Sequence, residues 1–184
     1  MRLLTPRLLL RPVRAADAPL VHDMATRPGF ARLAGYPKPK SLRETAVRLG
    51  RSIAAWRKPG AKTEKKLTFS ILRRKDGAWL GLVDLRWPHK GVGELGYSVH
   101  PDHWRQGYGT EAVRKLVSLG FELGAHRVQA TCWVKNAGSA GVLRNAGLRK
   151  EGVLRGYLRR GREVQDVFMF GVSRKDFFTG EKPV

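Results

Sequence analysis

The sequence predicts an α/β fold whose first half is mostly antiparallel and whose middle carries a strand–helix–strand crossover. Three observations lead there. Apolar residues alternate with polar ones, at the strand period, in Leu67–Ile71, again at Leu95, Tyr97 and Val99, and again at Val128, Ala130, Cys132 and Val134. Between the last two segments, Gly109, Ala112, Val113, Leu116, Val117, Gly120 and Phe121 recur at the spacing of one helical face. Turn signals such as Lys75-Asp76-Gly77 join the neighbouring strands as hairpins.

Taken in order, residues 7–14 read as a first strand, with Pro12 marking an edge position. Asp17 reads as the N-cap of a helix running to about Thr26, with Pro19 in its first turn. Residues 27–40, rich in Pro and Gly, read as loop with at most a short helix around Phe30–Ala34. Ser41 and Glu44 form a capping box for a helix ending near Lys58-Pro59-Gly60, and a basic loop follows over residues 58–66. Strands are expected from Leu67, from Trp79 to Trp87 and from Glu94 to Val99. Next come the helix 109–123 stopped by Gly124, a strand at Val128–Val134, and a short helix after Asn136 that ends at Gly147. Strands at about 149–159 and 163–171, joined through Arg160-Gly161, close the chain. Neither a repeat nor a linker divides it, so one domain over residues 1–184 is expected.

The composition is globular, with 42% hydrophobic residues. No apolar run approaches the ~20 residues of a membrane span, and the N-terminus lacks the continuous apolar core of a signal peptide. The single Cys132 cannot form an internal disulfide, which suits a reducing cytoplasm. Charge is the unusual feature: 36 Lys and Arg against 15 Asp and Glu give +21. Such a field attracts polyanions, whether RNA, a ribosome, an acidic protein surface or cofactor phosphates; a merely solvated basic surface is the alternative.

The stretch Glu94–Glu111 organises the rest: a strand, a proline-punctuated loop, then a glycine-bearing turn opening a helix. A Gly-x-Gly at a helix start leaves backbone N–H groups unpaired at the positive end of the macrodipole, an arrangement that binds phosphate.

Several motifs, in order, carry a family resemblance. They are Thr5-Pro6-Arg7-Leu8-Leu9-Leu10-Arg11, Asp17-Ala18, Gly96-Tyr97-Ser98-Val99-His100-Pro101 through Trp104-Arg105-Gln106-Gly107-Tyr108-Gly109-Thr110-Glu111-Ala112, Asn136-Ala137-Gly138-Ser139, and Asn145-Ala146-Gly147-Leu148. With these the chain resembles the GCN5-related N-acetyltransferases (GNAT), and within them the RimJ/RimL type that acetylates N-terminal amines of ribosomal proteins and other amines. The resemblance implies the GNAT fold, a mixed central sheet of about six to seven strands flanked by about four helices, and a cytoplasmic enzyme using acetyl-CoA. It also implies that Arg105, Gln106, Gly107, Tyr108, Gly109 and Thr110 hold the pyrophosphate, that the strand at Tyr97, Ser98 and Val99 pairs with the pantetheine arm, and that Asn136 bonds the same arm. Trp104 stands where many members carry Gln or Arg, as is common in the RimJ/RimL-like group.

Acetyl transfer to an amine requires removal of a proton, stabilisation of an oxyanion and protonation of the departing thiolate. The Val99 N–H is the expected oxyanion donor. Many family members use a Tyr as the acid where this chain has Leu143, so Ser139, matching a serine proposed for that role in RimL-like proteins, is the candidate acid; an ordinary helix-start hydroxyl is the alternative. Glu94 is the candidate base, directly or through water, against a plain solvated glutamate. Asp84, Glu163 and Asp166 are further carboxylates, and Asp166 falls where the subgroup often carries an acid. Cys132 belongs to an apolar face and reads as buried rather than nucleophilic. His100 and His103 lack further ligands at metal spacing, so no metal site is expected. Trp79, Trp87 and Trp133 read as core or pocket walls, and Phe30, Tyr36 and Trp56 fall where the family covers its acceptor. The acceptor is open between a protein N-terminus, perhaps ribosomal, and a small amine. A homodimer and a polyanion contact complete the expectations, and a silent RNA- or ribosome-binding protein on the same fold is the competing reading.

Overall fold

The computed structural model describes residues 1–33, 38–57, 66–160 and 163–179. Among these, eight strands form one sheet: β1 (Leu3–Leu4), β2 (Leu8–Pro12), β3 (Lys66–Arg73), β4 (Trp79–His89), β5 (Val92–Val99), β6 (Arg127–Trp133), β7 (Arg149–Arg160) and β8 (Glu163–Ser173). They lie in the order β1-β2-β3-β4-β5-β6-β8-β7. Six helices flank the sheet: α1 (Ala18–Thr26), α2 (Pro28–Leu33), α3 (Leu42–Arg57), α4 (Tyr108–Glu122), α5 (Ala137–Asn145) and α6 (Arg174–Thr179). Both counts exceed the expectation. The extra elements, β1 with two residues and α6 with six, are too short to show a hydrophobic period.

Every neighbouring pair is antiparallel except β5 and β6, which α4 connects. That crossover uses the apolar face legible in the sequence. Ala112, Val113, Leu116 and Val117 are fully buried against Leu85, Leu95 and Val128 of the sheet. Burial of each larger side chain contributes about 1.5–3 kcal/mol, enough to fix α4 against the strands. The opposite sheet face carries α1 and α3 through Val13, Ala18, Leu49 and Leu82, and a cluster of Met24, Ala25, Phe30 and Trp79 adjoins it.

Two capping expectations hold in position but not in their bonds. Asp17 is the N-cap residue of α1, as expected, but its side chain makes no cap bond. Its carboxylate accepts from Arg11 at 2.6 and 2.8 Å, from the Arg14 N–H at 2.8 Å and from the Ser70 hydroxyl at 2.7 Å. A nearby guanidinium is a stronger partner than a helix N–H. The Ser41 hydroxyl does accept the Glu44 N–H at 3.2 Å, but the Glu44 carboxylate reaches back to the Lys40 N–H at 2.7 Å instead of to Ser41. Pro12 sits at the end of β2, beyond the rungs that β1 occupies, so its missing N–H breaks no ladder bond there.

Candidate active site

The parallel pair is short. β5 and β6 share only the rungs Val92–Arg127, Gly93–Val128 and Glu94–Gln129, and then part. Beyond Glu94 the sheet is therefore split, and backbone groups on the open side of β5 lack a strand partner. Their phase follows from one bond: the His100 N–H donates to Leu80 of β4 at 2.8 Å. Alternate residues of an antiparallel strand face alternate neighbours, so Tyr97 and Val99 turn their backbone groups into the split. The Val99 carbonyl is taken by the Trp104 indole N–H at 2.7 Å, and its N–H faces the gap. Ser98, expected alongside them, is in phase with His100 and turns its backbone towards β4.

At the end of β5 the chain makes the glycine-bearing turn. Arg105 (φ 59°) and Gly107 (φ 78°) are both left-handed, and Gly107 is the N-cap of α4 without any side-chain cap bond. The first-turn N–H groups of Tyr108, Gly109 and Thr110 have no intrahelical acceptor. Only glycine suits position 107: the conformation is left-handed, and a Cβ there would lie 3.2 Å from Arg7 Nη2. That guanidinium was not singled out in the sequence. Arg7 donates to the Gln106 carbonyl at 3.0 Å and to Glu111 at 2.6 Å, and stacks over the Tyr108 ring at 4.8 Å. Glu111 also accepts from the Thr5 hydroxyl at 2.6 Å and the Arg7 N–H at 2.9 Å. Burial would raise the Glu111 carboxyl, but these bonds outweigh it and hold it below the usual carboxylate range. The only sequence signal was an acid in the first helical turn. A groove of about 910 Å³ borders the turn, lined in part by Gly107, Thr110, Arg114 and Asn145. A second cavity of about 530 Å³ is lined by Arg7, Arg73, Arg74, Lys75 and Tyr108, so the surroundings of the turn are strongly cationic.

Across the split stands the start of α5. Asn136 is its N-cap and accepts the Ser139 N–H at 3.0 Å. The Tyr97 phenol of β5 lies 2.6 Å from Ser139 Oγ and donates within reach of the Ser139 carbonyl at 2.9 Å. Burial pushes the Tyr97 phenol well above its ordinary range, and burial likewise raises the Cys132 thiol, whose side chain contacts Ser139. Cys132 is free, buried and packed in the main core, as its apolar neighbours implied.

Glu94 lies on the other face of the sheet, in phase with Gly96 and Ser98. It is nearly buried and sits at the apex of the split. Arg86 donates to one carboxylate oxygen and Gln129 to the other at 3.4 Å. Gln129 in turn accepts from Arg127 at 3.2 Å, and Arg127 is paired with Glu151. Asp84, opposite Gly96, is raised by burial, against the opposing pull of Lys66 at 3.4 Å. Gly96 makes room for it: a Cβ there would lie 2.9 Å from both carboxylate oxygens.

The remaining candidates fall elsewhere. Asp166 accepts the Gly156 N–H at 2.8 Å and holds an irregularity of the terminal hairpin, and Glu163 accepts from Gln165 at 3.1 Å near its tip. His100 ties β5 to α1, with Nδ1 accepting from Asp102 and Nε2 against Asp23 at 2.9 Å. Among the described residues no three His, Cys, Asp or Glu side chains converge as metal ligands, and no helix is long and apolar enough to cross a membrane. Phe30 is packed with Met24 and Trp79 rather than set on a groove. Trp87 packs on the main core, and Trp133 lies under the Lys135 ammonium at 5.5 Å. Leu143 is fully buried in that core. Tyr36, the Trp56 side chain, the loop 58–65 and Gly161 lie outside the described residues.

A split parallel pair beside an uncapped, left-handed turn sets an open backbone edge next to unpaired helix-start N–H groups, which suits an extended ligand with a phosphate at one end. The family model for the acetyltransferase (GNAT) domain matches residues 7–149. The chain belongs to the GNAT family of N-acetyltransferases. It is similar to the N-acetyltransferase YoaA of Bacillus subtilis (strain 168), 29% identical over 174 residues that cover 92% of this chain and 95% of that one. Its fold is shared by RimL, the ribosomal L7/L12 α-N-protein acetyltransferase, solved with coenzyme A in disulfide linkage (TM-score 0.79, 18% identity, covering 93% and 96%). It is also shared by spermidine N-acetyltransferase from Vibrio cholerae, solved with CoA and spermine (TM-score 0.78, 16% identity, covering 95% and 99%).

Proposed function

We propose that the acceptor is a protein N-terminal α-amine, acetylated by direct transfer. The observation that carries this reading is the state of Glu94: both its oxygens already accept hydrogen bonds, one from a guanidinium. A base so engaged has less free lone-pair capacity for a substrate proton. An α-amine, with a pKa near ~8, is partly neutral at physiological pH, whereas a lysine-type amine near ~10.4 needs a stronger one. The +21 charge also opposes long-range approach of polyamines while favouring an acidic or ribosomal partner. RimL, which shares the fold, acetylates the N-terminus of a ribosomal protein.

In this reading the 105–110 turn binds the pyrophosphate through its N–H groups and the groove beside α4 takes the nucleotide end. Tyr97 and Val99 offer their backbone to the pantetheine arm, and the side-chain amide of Asn136 lies beside it. Glu94 takes the amine proton, directly or through water, from the opposite face. The Val99 N–H steadies the developing oxyanion, and Ser139 protonates the departing sulfur. Cys132 stays a protonated thiol, so no acetyl-cysteine step is involved.

The test is mass spectrometry of products after offering acetyl-CoA with N-terminal peptides, spermidine and a panel of small amines. α-Acetylated peptide is the expected product; acetylation confined to spermidine or another small amine refutes the peptide reading. A second reading, contact with RNA or the ribosome without turnover, is favoured by the net charge alone. Tight RNA binding at physiological salt, with no acetyl-CoA effect on thermal stability, would establish it instead.

A further inference from the structure

We infer that the Tyr97 side chain is a positioning residue for the Ser139 hydroxyl, holding it aimed into the split where the donor's sulfur leaves; this rests on the reading of Ser139 as the acid. Phenol and hydroxyl are brought together by elements far apart in sequence, β5 and the first turn of α5, at 2.6 Å. Packing alone does not require this contact. A buried phenol needs one acceptor, and the Ser139 carbonyl at 2.9 Å already supplies it. The second contact, to Oγ, concerns the orientation of the hydroxyl.

Proton bookkeeping gives that contact a role. A carbonyl only accepts, so when the phenol hydrogen lies on it, the Ser139 O–H has Tyr97 Oη as its acceptor and is turned away from the split. When the phenol donates to Oγ, the serine hydrogen is released to point elsewhere. The Asn136 cap fixes the Ser139 backbone, so the freed hydrogen has two outlets, the Cys132 sulfur beside it and the gap between β5 and β6, where a departing thiolate is the stronger acceptor. As the thioester C–S bond breaks with its electron pair on sulfur, sulfur takes the Ser139 proton. Oγ recovers a proton through water from Glu94, which took it from the acceptor nitrogen, so one proton passes in sum from acceptor nitrogen to coenzyme thiol. Tyr97 loses none, because burial holds its phenol protonated. It acts as a fixed donor that stabilises Oγ while its hydrogen is away.

The experiment compares wild type, Tyr97→Phe, Ser139→Ala and the double variant, using acetyl-CoA with an N-terminal-serine decapeptide and with spermidine. We expect Tyr97→Phe to lower kcat about tenfold, the value of one hydrogen bond of ordinary strength, with KM for acetyl-CoA within about twofold of wild type. The double variant should be no slower than Ser139→Ala. Replacing Tyr97 with 3-fluorotyrosine, which keeps the hydroxyl and the ring, should hold kcat within about threefold of wild type. Wild-type kcat in Tyr97→Phe, losses that multiply in the double variant, or no recovery with 3-fluorotyrosine overturns the inference while leaving Ser139 as the acid. Unchanged kcat in Ser139→Ala removes the reading beneath it, and a wild type silent with both acceptors removes both.

Discussion

Arg86 and Glu94 face each other on one rung of β4 and β5, immediately before β5 leaves β6, and the guanidinium donates to the carboxylate. With Gln129 on the second oxygen, the Glu94 carboxylate is oriented at the apex of the split. Glu94→Gln keeps the shape and removes the charge. We expect kcat to fall about a hundredfold, within the range of general base catalysis, with acetyl-CoA affinity unchanged. Steady-state kinetics and calorimetry separate the two, and undiminished turnover would exclude Glu94 as the base.

Gly107 is left-handed and backed by Arg7. Gly107→Glu places a strained, negatively charged side chain in the turn proposed to receive phosphate. Saturable acetyl-CoA binding should disappear in calorimetry, and retained wild-type affinity would discredit the turn as the pyrophosphate site.

Asp17 governs a pH-dependent part of the stability. Burial would raise its carboxyl, but bonds from Arg11, Ser70 and the Arg14 N–H outweigh this, and its pKa is lowered. The stabilisation is therefore present above the unfolded value of about 3.9 and lost as pH falls through the lower folded value. Asp17→Asn should cost about 3 kcal/mol at pH 7 by stranding Arg11, with a smaller cost near pH 2. Denaturant titrations at the two pH values read this directly; an equal cost at both would contradict the linkage.

At position 96 the limitation is space. In Gly96→Ala the new methyl meets the Asp84 carboxylate at 2.9 Å, and Asp84 is held between Lys66 and the strand. A loss of about 1–3 kcal/mol is expected in urea unfolding, and Asp84→Ala in the same chain should recover most of it.

The sheet was largely readable because its strands alternate and its crossover helix has one apolar face; Leu95–Val99 and Ala112–Phe121 announce themselves. The candidates for the donor half of the site could be picked out for a related reason. A glycine turn and an Asn-x-x-Ser run are local in sequence. What could not be read depends on distant pairings. Arg7 and Glu111 are 104 residues apart, and Tyr97 and Ser139 are 42 apart, so neither contact leaves a periodic trace. Asp17 stands at the N-cap position as read, but where its carboxylate points was not legible, because an acid before a helix looks the same whether it bonds that helix or an arginine on a neighbouring strand. The phase of β5 separated Ser98 from Tyr97 and Val99, and only the partner strand fixes phase.

The clasp of Arg7, Thr5 and Glu111 ties the segment before β2 to the glycine turn that we propose holds the coenzyme phosphates. Coenzyme occupancy and anchoring of the first seven residues are then thermodynamically linked, each favouring the other. Loss of Thr5 or Arg7 would loosen the glycine turn as well as the sheet edge formed by β1 and β2.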